Sequence, residues 1–451
     1  MKITEIYIDG FRNISKTKLD FSVEPLIVLL APNNCGKSNL LLGIQNGFDL
    51  IAKQGTHVVN YIQNSDNYVN WNIHNGINAF TFGVRFEKND KKEGEFYYKY
   101  SLNYEVKIAY DEYKNVKLAK SLAHGIFEEQ LVCTKDGTQK LIFKRIKSTE
   151  EGMNDVVELL DGKIKLIIPG DYRSGKKDYN SSLYFALHKL GNMALLENTP
   201  DDLKDVLDNI RGVWTSLTRE NIGSIITHEK SDFFTHEVLI QDIKEIKEKD
   251  CEHKTNYYGE FISKFKSLFP CYNSDKGVVS GPLGDNGQYE LVFRHGKKIR
   301  PETVMSLSFG TRRVFKLLSQ IFANETPLIS LEEIENGMHP ELYSGVIEIF
   351  FDVLNKKRRF NDPRLILSSH APGIVNALES HLDSIYVAVP GLINSGTAQF
   401  AKLNETGKNK VRKHMNETFF RAGDIIFAVF AEDCLQESNL KMLDMKHEGE
   451  T

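Results

Sequence analysis

Tryptophan and cysteine are scarce in this chain, with two and five copies in 451 residues. Cys35, Cys133, Cys251, Cys271 and Cys434 are scattered, odd in number and nowhere spaced C-x-x-C. That speaks against a disulfide framework and against a thiolate zinc site, and it fits a reducing compartment. Long apolar runs are also missing. The most apolar stretches, Leu26 to Ala31 and Ile425 to Ala431, fall far short of the roughly 20 residues that span a bilayer. The opening Met1-Lys2-Ile3-Thr4-Glu5 carries no apolar h-region. The expectation is a soluble cytoplasmic protein with no membrane partner. A strong charge of one sign is lacking too. The net charge of -4 excludes a surface basic all over while leaving room for local basic patches. No internal repeat or low-complexity tract interrupts an ordinary globular composition, 41% hydrophobic and 26% charged, long enough for two or three structural units.

The two ends of the chain read as alternating strands and helices. Ile3 to Ile8 alternates as a half-buried strand does, and Leu26 to Leu30 is a continuous apolar run, as expected of a strand covered on both faces. A helix follows from about Lys37 to Ile51. In the last third, Val304 to Phe322 and Leu342 to Leu354 read as helices, and Pro327 to Leu331, Arg364 to Ser368 and Ile385 to Val389 as buried strands. Such alternation implies a largely parallel sheet. Between the two ends, Phe80 to Phe86, Phe96 to Tyr110, Gln130 to Arg145 and Lys163 to Ile168 suggest strands, several of them rich in aromatics. From Ser181 to Leu268 the spacing becomes helical and charged, with Val238 to Lys249 an amphipathic helix. The organisation expected is therefore a first half with a β-rich lobe (1–180), a helical insertion or arm (181–280) and a second half (281–451).

Ala31-Pro32-Asn33-Asn34-Cys35-Gly36-Lys37-Ser38 lies between a buried strand and a helix, the context a phosphate loop needs. Backbone N–H groups from Asn33 to Asn39 form an anion nest at a helix N-terminus. Lys37 reaches the β- and γ-phosphates of ATP and Ser38 offers its hydroxyl to Mg²⁺. Ala31 stands where the pattern has its first glycine. The strand Pro327 to Leu331 ends in Glu332 and Glu333, one acid for the Mg²⁺ shell and one for an attacking water. An acidic helix N-terminus is the competing explanation for such a pair. Ser308, Gly310 and Thr311 open a helix and make a second phosphate cap, and Leu365 to Ser369 ends in His370, which could sense a γ-phosphate.

Together these pieces resemble the ABC-type ATPase heads of the SMC, Rad50, RecF and OLD-like group. The resemblance is carried by Ile6 to Ile14, the phosphate loop, Ser308 to Thr311, Glu332 to Pro340 and Ser369 to Pro372. It implies an α/β fold, an ABC-type P-loop ATPase head with a β-rich lobe and an inserted helical arm. It also implies a head-to-head dimer with two ATP molecules sandwiched between phosphate loop and signature. Ser308 and Gly310 of one subunit then face the γ-phosphate held by Lys37 of the other, Glu333 acts as general base, and His370 orients water and phosphate. Arg12 is a candidate phosphate contact, although an arginine after a first strand is more often a surface residue. Ile334 replaces the proline usual after the two acids, and no glutamine after the first helix has a strand-end context.

A compact chain of this kind resembles the ATPase subunits of bacterial anti-phage modules such as PARIS and Septu. By that resemblance it is a slow ATPase that senses infection, a phage protein or nucleic acid included, or restrains a separately encoded nuclease. A RecF-like DNA-repair ATPase is the alternative, and a transporter ATPase fits the large insertion poorly. OLD-type chains carry a nuclease domain, of which only Ile425 to Asp433 is faintly similar to the opening strand. Glu105-Val106-Lys107 matches the end of a restriction-type nuclease motif but has no preceding acid pair. Three basic clusters, Arg294 to Arg300, Lys356 to Arg359 and Lys408 to Lys413, are either solvated faces or a track for nucleic-acid phosphates.

Overall fold

The computed structural model describes residues 2–53, 76–87, 94–110, 116–148, 155–159, 164–168, 222–225, 236–272, 278–282, 289–293, 302–303, 307–323, 327–356, 362–389, 396–417, 421–423, 426 and 435. Strands β1 (Lys2–Asp9), β2 (Thr17–Asp20) and β3 (Leu26–Leu30) lead into helix α1 (Lys37–Lys53). Six more strands follow: β4 (Gly76–Glu87), β5 (Glu95–Tyr110), β6 (Val116–Lys135), β7 (Thr138–Ser148), β8 (Asp155–Leu159) and β9 (Ile164–Ile168). After β10 (Ile222–Ile225) come α2 (His236–His253), α3 (Tyr257–Leu268), and the short strands β11 (Val278–Pro282), β12 (Tyr289–Phe293) and β13 (Glu302–Thr303). The final third holds α4 (Phe309–Ala323), β14 (Leu328–Leu331), α5 (Leu342–Asn355), β15 (Arg364–Ser369), α6 (Pro372–Asn376), β16 (Ile385–Ala388), β17 (Phe400–Lys402) and α7 (Glu405–Glu417).

Two large sheets share the first strands of the chain. An antiparallel sheet runs β2-β1-β4-β5-β6-β7-β8-β9, and a mostly parallel one runs β10-β14-β15-β3-β16-β17. The apolar run of β3 is explained by its place between two cores. Leu26, Val28 and Leu30 face a core shared with α3, α4 and α5, whereas Ile27 and Leu29 face α1 and the antiparallel sheet. In the second core Leu40, Leu41, Ile44 and Phe48 of α1, at helical spacing, meet Phe80 and Phe82 of β4.

The stretch read as one strand from Gln130 to Arg145 is instead a hairpin. Asp136 and Gly137 both take left-handed φ angles, 50° and 75°, which is the conformation a tight hairpin turn demands. The helix expected from Val304 starts only at Phe309, because Ser308 stands at its N-terminus and Glu302–Thr303 pairs with β12. Inside the stretch read as helical, β10 forms a strand parallel to β14, with Ile222 opposite Leu328. Ile222-Gly223-Ser224-Ile225 lacks helical spacing, and an edge beside β14 supplies its backbone partners.

The described helices of the expected arm pack on the head itself. Ile243 and Ile246 of α2 and Phe261 and Phe265 of α3 belong to the core of α4 and α5. Phe315 of α4 lies with its ring centroid 5.0 Å from those of both Phe261 and Phe265. Each fully buried Phe contributes about 1.5–3 kcal/mol by leaving water. Among the described residues, no helix is long and apolar enough to cross a membrane.

Candidate active site

The order of the parallel sheet gathers the motifs. β14, β15 and β3 are neighbours in parallel register, with Leu331 opposite Leu367 and Ser369 opposite Leu30. Their C-terminal ends therefore lie side by side. The phosphate loop leaves β3, Glu332 and Glu333 leave β14, and His370 leaves β15. A crevice beyond the carboxyl ends of parallel strands is where open α/β sheets bind ligands.

The phosphate loop depends on two left-handed residues, Asn34 (φ 65°) and Gly36 (φ 92°). A Cβ on Gly36 would come within 2.8 Å of Ala398 and 3.1 Å of the Asn13 side chain, so this position requires glycine. Ala31 is buried and has no left-handed φ, so the methyl in place of the usual glycine is accommodated. Asn33 and Asn34 are exposed, Cys35 is half-buried, and the Cys35 thiol donates to the Asn33 carbonyl at 3.6 Å. The buried Lys37 Nζ donates to the carbonyls of Ala31 (2.6 Å) and Pro32 (3.1 Å). Burial pushes the Lys37 pKa down, against the upward pull of Cys35, Glu335, Glu333 and Glu332.

Ser38 Oγ donates to Glu332 Oε1. A hydroxyl and a single carboxylate facing one another suit Mg²⁺, which keeps waters and takes few protein ligands. Among the described residues no group of three or more His, Cys, Asp or Glu could hold a metal ion by itself. Glu333 has a left-handed φ of 46°, a conformation that costs a non-glycine residue about 1–3 kcal/mol. Its surroundings impose it. Glu333 N donates to Ser368 Oγ (3.0 Å), Ile334 N to the Ser368 carbonyl (3.3 Å), and Asn336 Nδ2 to Glu333 Oε2. His370 is held by a third acid: Glu335 Oε1 accepts from its backbone N (2.8 Å) and faces its Nδ1 at 2.9 Å. Glu335 is buried, and its second oxygen has no hydrogen-bond partner among the described residues.

Arg12 reaches the first turn of α1, where Nη1 donates to Asn39 Oδ1 at 2.8 Å, and Asn39 in turn donates to Asn13 Oδ1 at 2.7 Å. The structure thus brings Lys37, Ser38, Asn39, Arg12, Glu332, Glu333 and His370 to one edge of the molecule. Ser308 and Thr311 stand apart from that hydrogen-bonded group. Their hydroxyls lie 2.8 Å apart, and Thr311 N donates to Ser308 Oγ at 3.2 Å, an N-terminal cap on α4 with Ser308 exposed. Gly310 packs on the loop after the acids, where its Cβ would lie 2.1 Å from the Gly337 carbonyl oxygen.

Sequence reasoning missed Asn13, Arg313, Glu335 and Ser368. Glu335 sits in a quoted motif and could have been flagged. The other three stand beside or inside the motifs already singled out, but their own side chains repeat no recognised spacing. Of the basic clusters, Lys356 pairs with Glu260 and Asp352, and Lys408 turns inward onto Asp383 and Glu405, both at 2.7 Å. Arg294 to Arg300 and 357–359 lie outside the described residues, as do 169–221, most of 424–434 and the side chains of Glu105 to Lys107.

A family model described as "AAA domain, putative AbiEii toxin, Type IV TA system" matches residues 174–376, which take in Ser308, both acids and His370. Two curated relatives each align with 84% of the chain. One is "Retron Ec83 probable ATPase" of Escherichia coli, 21% identical over 426 residues, 84% of this chain and 70% of that one. The other is "ATP/GTP phosphatase" of Helicobacter pylori, 21% identical over 381 residues, 84% of this chain and 87% of that one. These similarities fit an ABC-type ATPase of the SMC and Rad50 kind. Similar solved structures are the SMC head domain from Thermotoga maritima (13% identity, TM-score 0.40, 90% of this chain and all of that one) and an SMC head bound to the C-winged helix domain of ScpA (12%, 0.44, 90% and 99%).

Proposed function

We propose that this ATPase is a switch: two copies close head to head around ATP, and hydrolysis releases them. The observation that carries the reading is the division of phosphate-binding parts. Ser38 bonds Glu332 beside Lys37 at one end of the parallel sheet, while Ser308 and Thr311 stand at the N-terminus of α4 and bond to each other. A γ-phosphate bound at Lys37 can engage a second Ser308 only from another subunit. Contact with two subunits gives ATP a higher affinity for the closed state than for the open one, which is what a switch requires.

Within the closed pair, Lys37 and the loop N–H groups hold the phosphates, with Asn33 to Asn39 and Arg12 around them. Ser38 and Glu332 would hold Mg²⁺, which neutralises charge developing on the phosphate oxygens. Glu333 accepts the proton of the attacking water. His370, fixed through Glu335, orients that water and the γ-phosphate. Ser308, Gly310 and Thr311 of the neighbour complete the cap.

The biological reading is an anti-phage defence complex in which the switch restrains or releases a separately encoded nuclease. It is supported by similarity to a retron ATPase and to a family described through a toxin system. The inward pairing of Lys408 weakens the alternative of a RecF-like DNA clamp. The test uses Glu333→Gln, purified and weighed by mass photometry with and without MgATP. Expected are retained ATP and a shift to dimers or larger assemblies, with turnover down about 10²–10⁴-fold. An unchanged mass with ATP bound would sink the sandwich.

A further inference from the structure

The guanidinium of Arg313 is nearly inaccessible, 2% exposed, and it faces backbone. Nη1 donates to the Asn336 carbonyl at 2.5 Å, and Nη2 donates to the carbonyls of Glu332 at 3.2 Å and Glu333 at 2.5 Å. Three carbonyls of one loop are thereby pinned by a single planar fork, a task for which lysine has no equivalent geometry. The loop includes the left-handed Glu333. Arg313 belongs to α4, the helix that Ser308 caps and whose first turn holds Gly310. A second contact closes the seam, because Gly310 lies so near the Gly337 carbonyl that a methyl has no room.

We propose that Arg313 is a positioning residue that makes the first turns of α4 and the Glu333 loop one rigid piece, so that Glu333 is held in place for the nucleotide on the same subunit's phosphate loop. The inference rests on the sandwich reading above. Burial pushes the Arg313 pKa down, opposed by Glu335 and Glu333, so the acids at the site also favour its charge. The bonds that Arg313 gives to the acid loop all end on backbone carbonyls. Its effect passes through the backbone of the acids.

Mixed dimers test this. Lys37→Ala chains combined with Ser308→Arg chains retain one working composite site, with Lys37 and Glu333 from the second chain and Ser308 from the first. Arg313→Lys added to the Ser308→Arg chain is expected to lower the kcat of the mixture about 100-fold, the scale of a small misplacement of a reacting group. The KM for ATP stays within about twofold. The same change added to the Lys37→Ala chain leaves the rate of the mixture within about twofold. Equal losses from both placements, or a raised KM accompanying the loss, would mean that Arg313 merely holds α4 in the fold, and the proposal fails. It fails equally if the first placement costs nothing.

Should Arg313→Lys not fold, Gly310→Ala in the Ser308→Arg chain opens the same seam where that chain's own signature is already out of use. The same loss of kcat is expected, and an unaltered rate overturns the proposal. A mixture inactive even with Arg313 intact counts against the sandwich instead. In that event Arg313→Lys in the otherwise native chain decides, by whether kcat falls at constant KM.

Discussion

Glu335 shows how a single carboxylate can carry more of a site than its sequence suggests. It is buried, it bonds both the backbone and the ring of His370, and its charge contributes to the raised pKa of Tyr343, where burial is the larger cause. Glu335→Gln keeps the shape and removes the charge facing Nδ1. Steady-state kinetics should show kcat reduced about 10–100-fold, the range found where a carboxylate orients a working histidine, with ATP binding by the isolated subunit unchanged. A variant with full kcat would remove His370 from the reaction. At this scale the sequence was informative where residue types repeat a known spacing, as at Lys37, Ser38, Glu332 and Glu333. It was silent at Asn13, Arg313 and Ser368, because their role lies in what they touch: respectively Asn39, the acid loop, and the backbone of Glu333.

Among the elements, α4 is the one on which most depends. Its first turn presents Ser308, its second holds the acid loop through Arg313, and its middle is bonded to α2. There the buried Asp242 accepts from Lys316 (2.7 Å), Ser319 (2.6 Å) and Gln320 (2.8 Å). Asp242→Ala strands a buried ammonium and should destabilise the fold by about 3–5 kcal/mol in urea denaturation. A loss under about 1 kcal/mol, typical of an exposed pair, would show that α2 is loosely attached to the head. The periodicity of Val238 to Lys249 announced this helix but not its partner. A 3.6-residue repeat reports that one face is apolar, and does not say which surface receives it. Turn chemistry was present and overlooked at Asp136-Gly137, where a hairpin signal lay inside a run read as continuous strand.

For the whole molecule, the proposed closure requires that a phosphate-loop face and a signature face meet between copies. Ser308→Arg places a long cation at the exposed cap while leaving Lys37 and its loop untouched. ATP binding measured by equilibrium titration should stay within about twofold, while turnover and any ATP-driven increase in mass are lost. Retained turnover by this variant would mean that each chain hydrolyses ATP alone. The local grammar of strand, loop and helix was enough to single out the loop after β3, the acid pair after β14 and the α/β class, because a glycine-dependent loop and a buried parallel strand each need particular residues at fixed spacing. Tertiary structure decided that β14, β15 and β3 are neighbours, that α2 and α3 are built into the head core, and that Arg313 grips the acids. Those outcomes depend on which apolar faces cover one another and on which carbonyls a buried guanidinium meets. Both are settled by packing between segments that lie from 19 (Arg313 and Glu332) to 339 residues apart (Leu26 and Leu365), for which no local pattern exists.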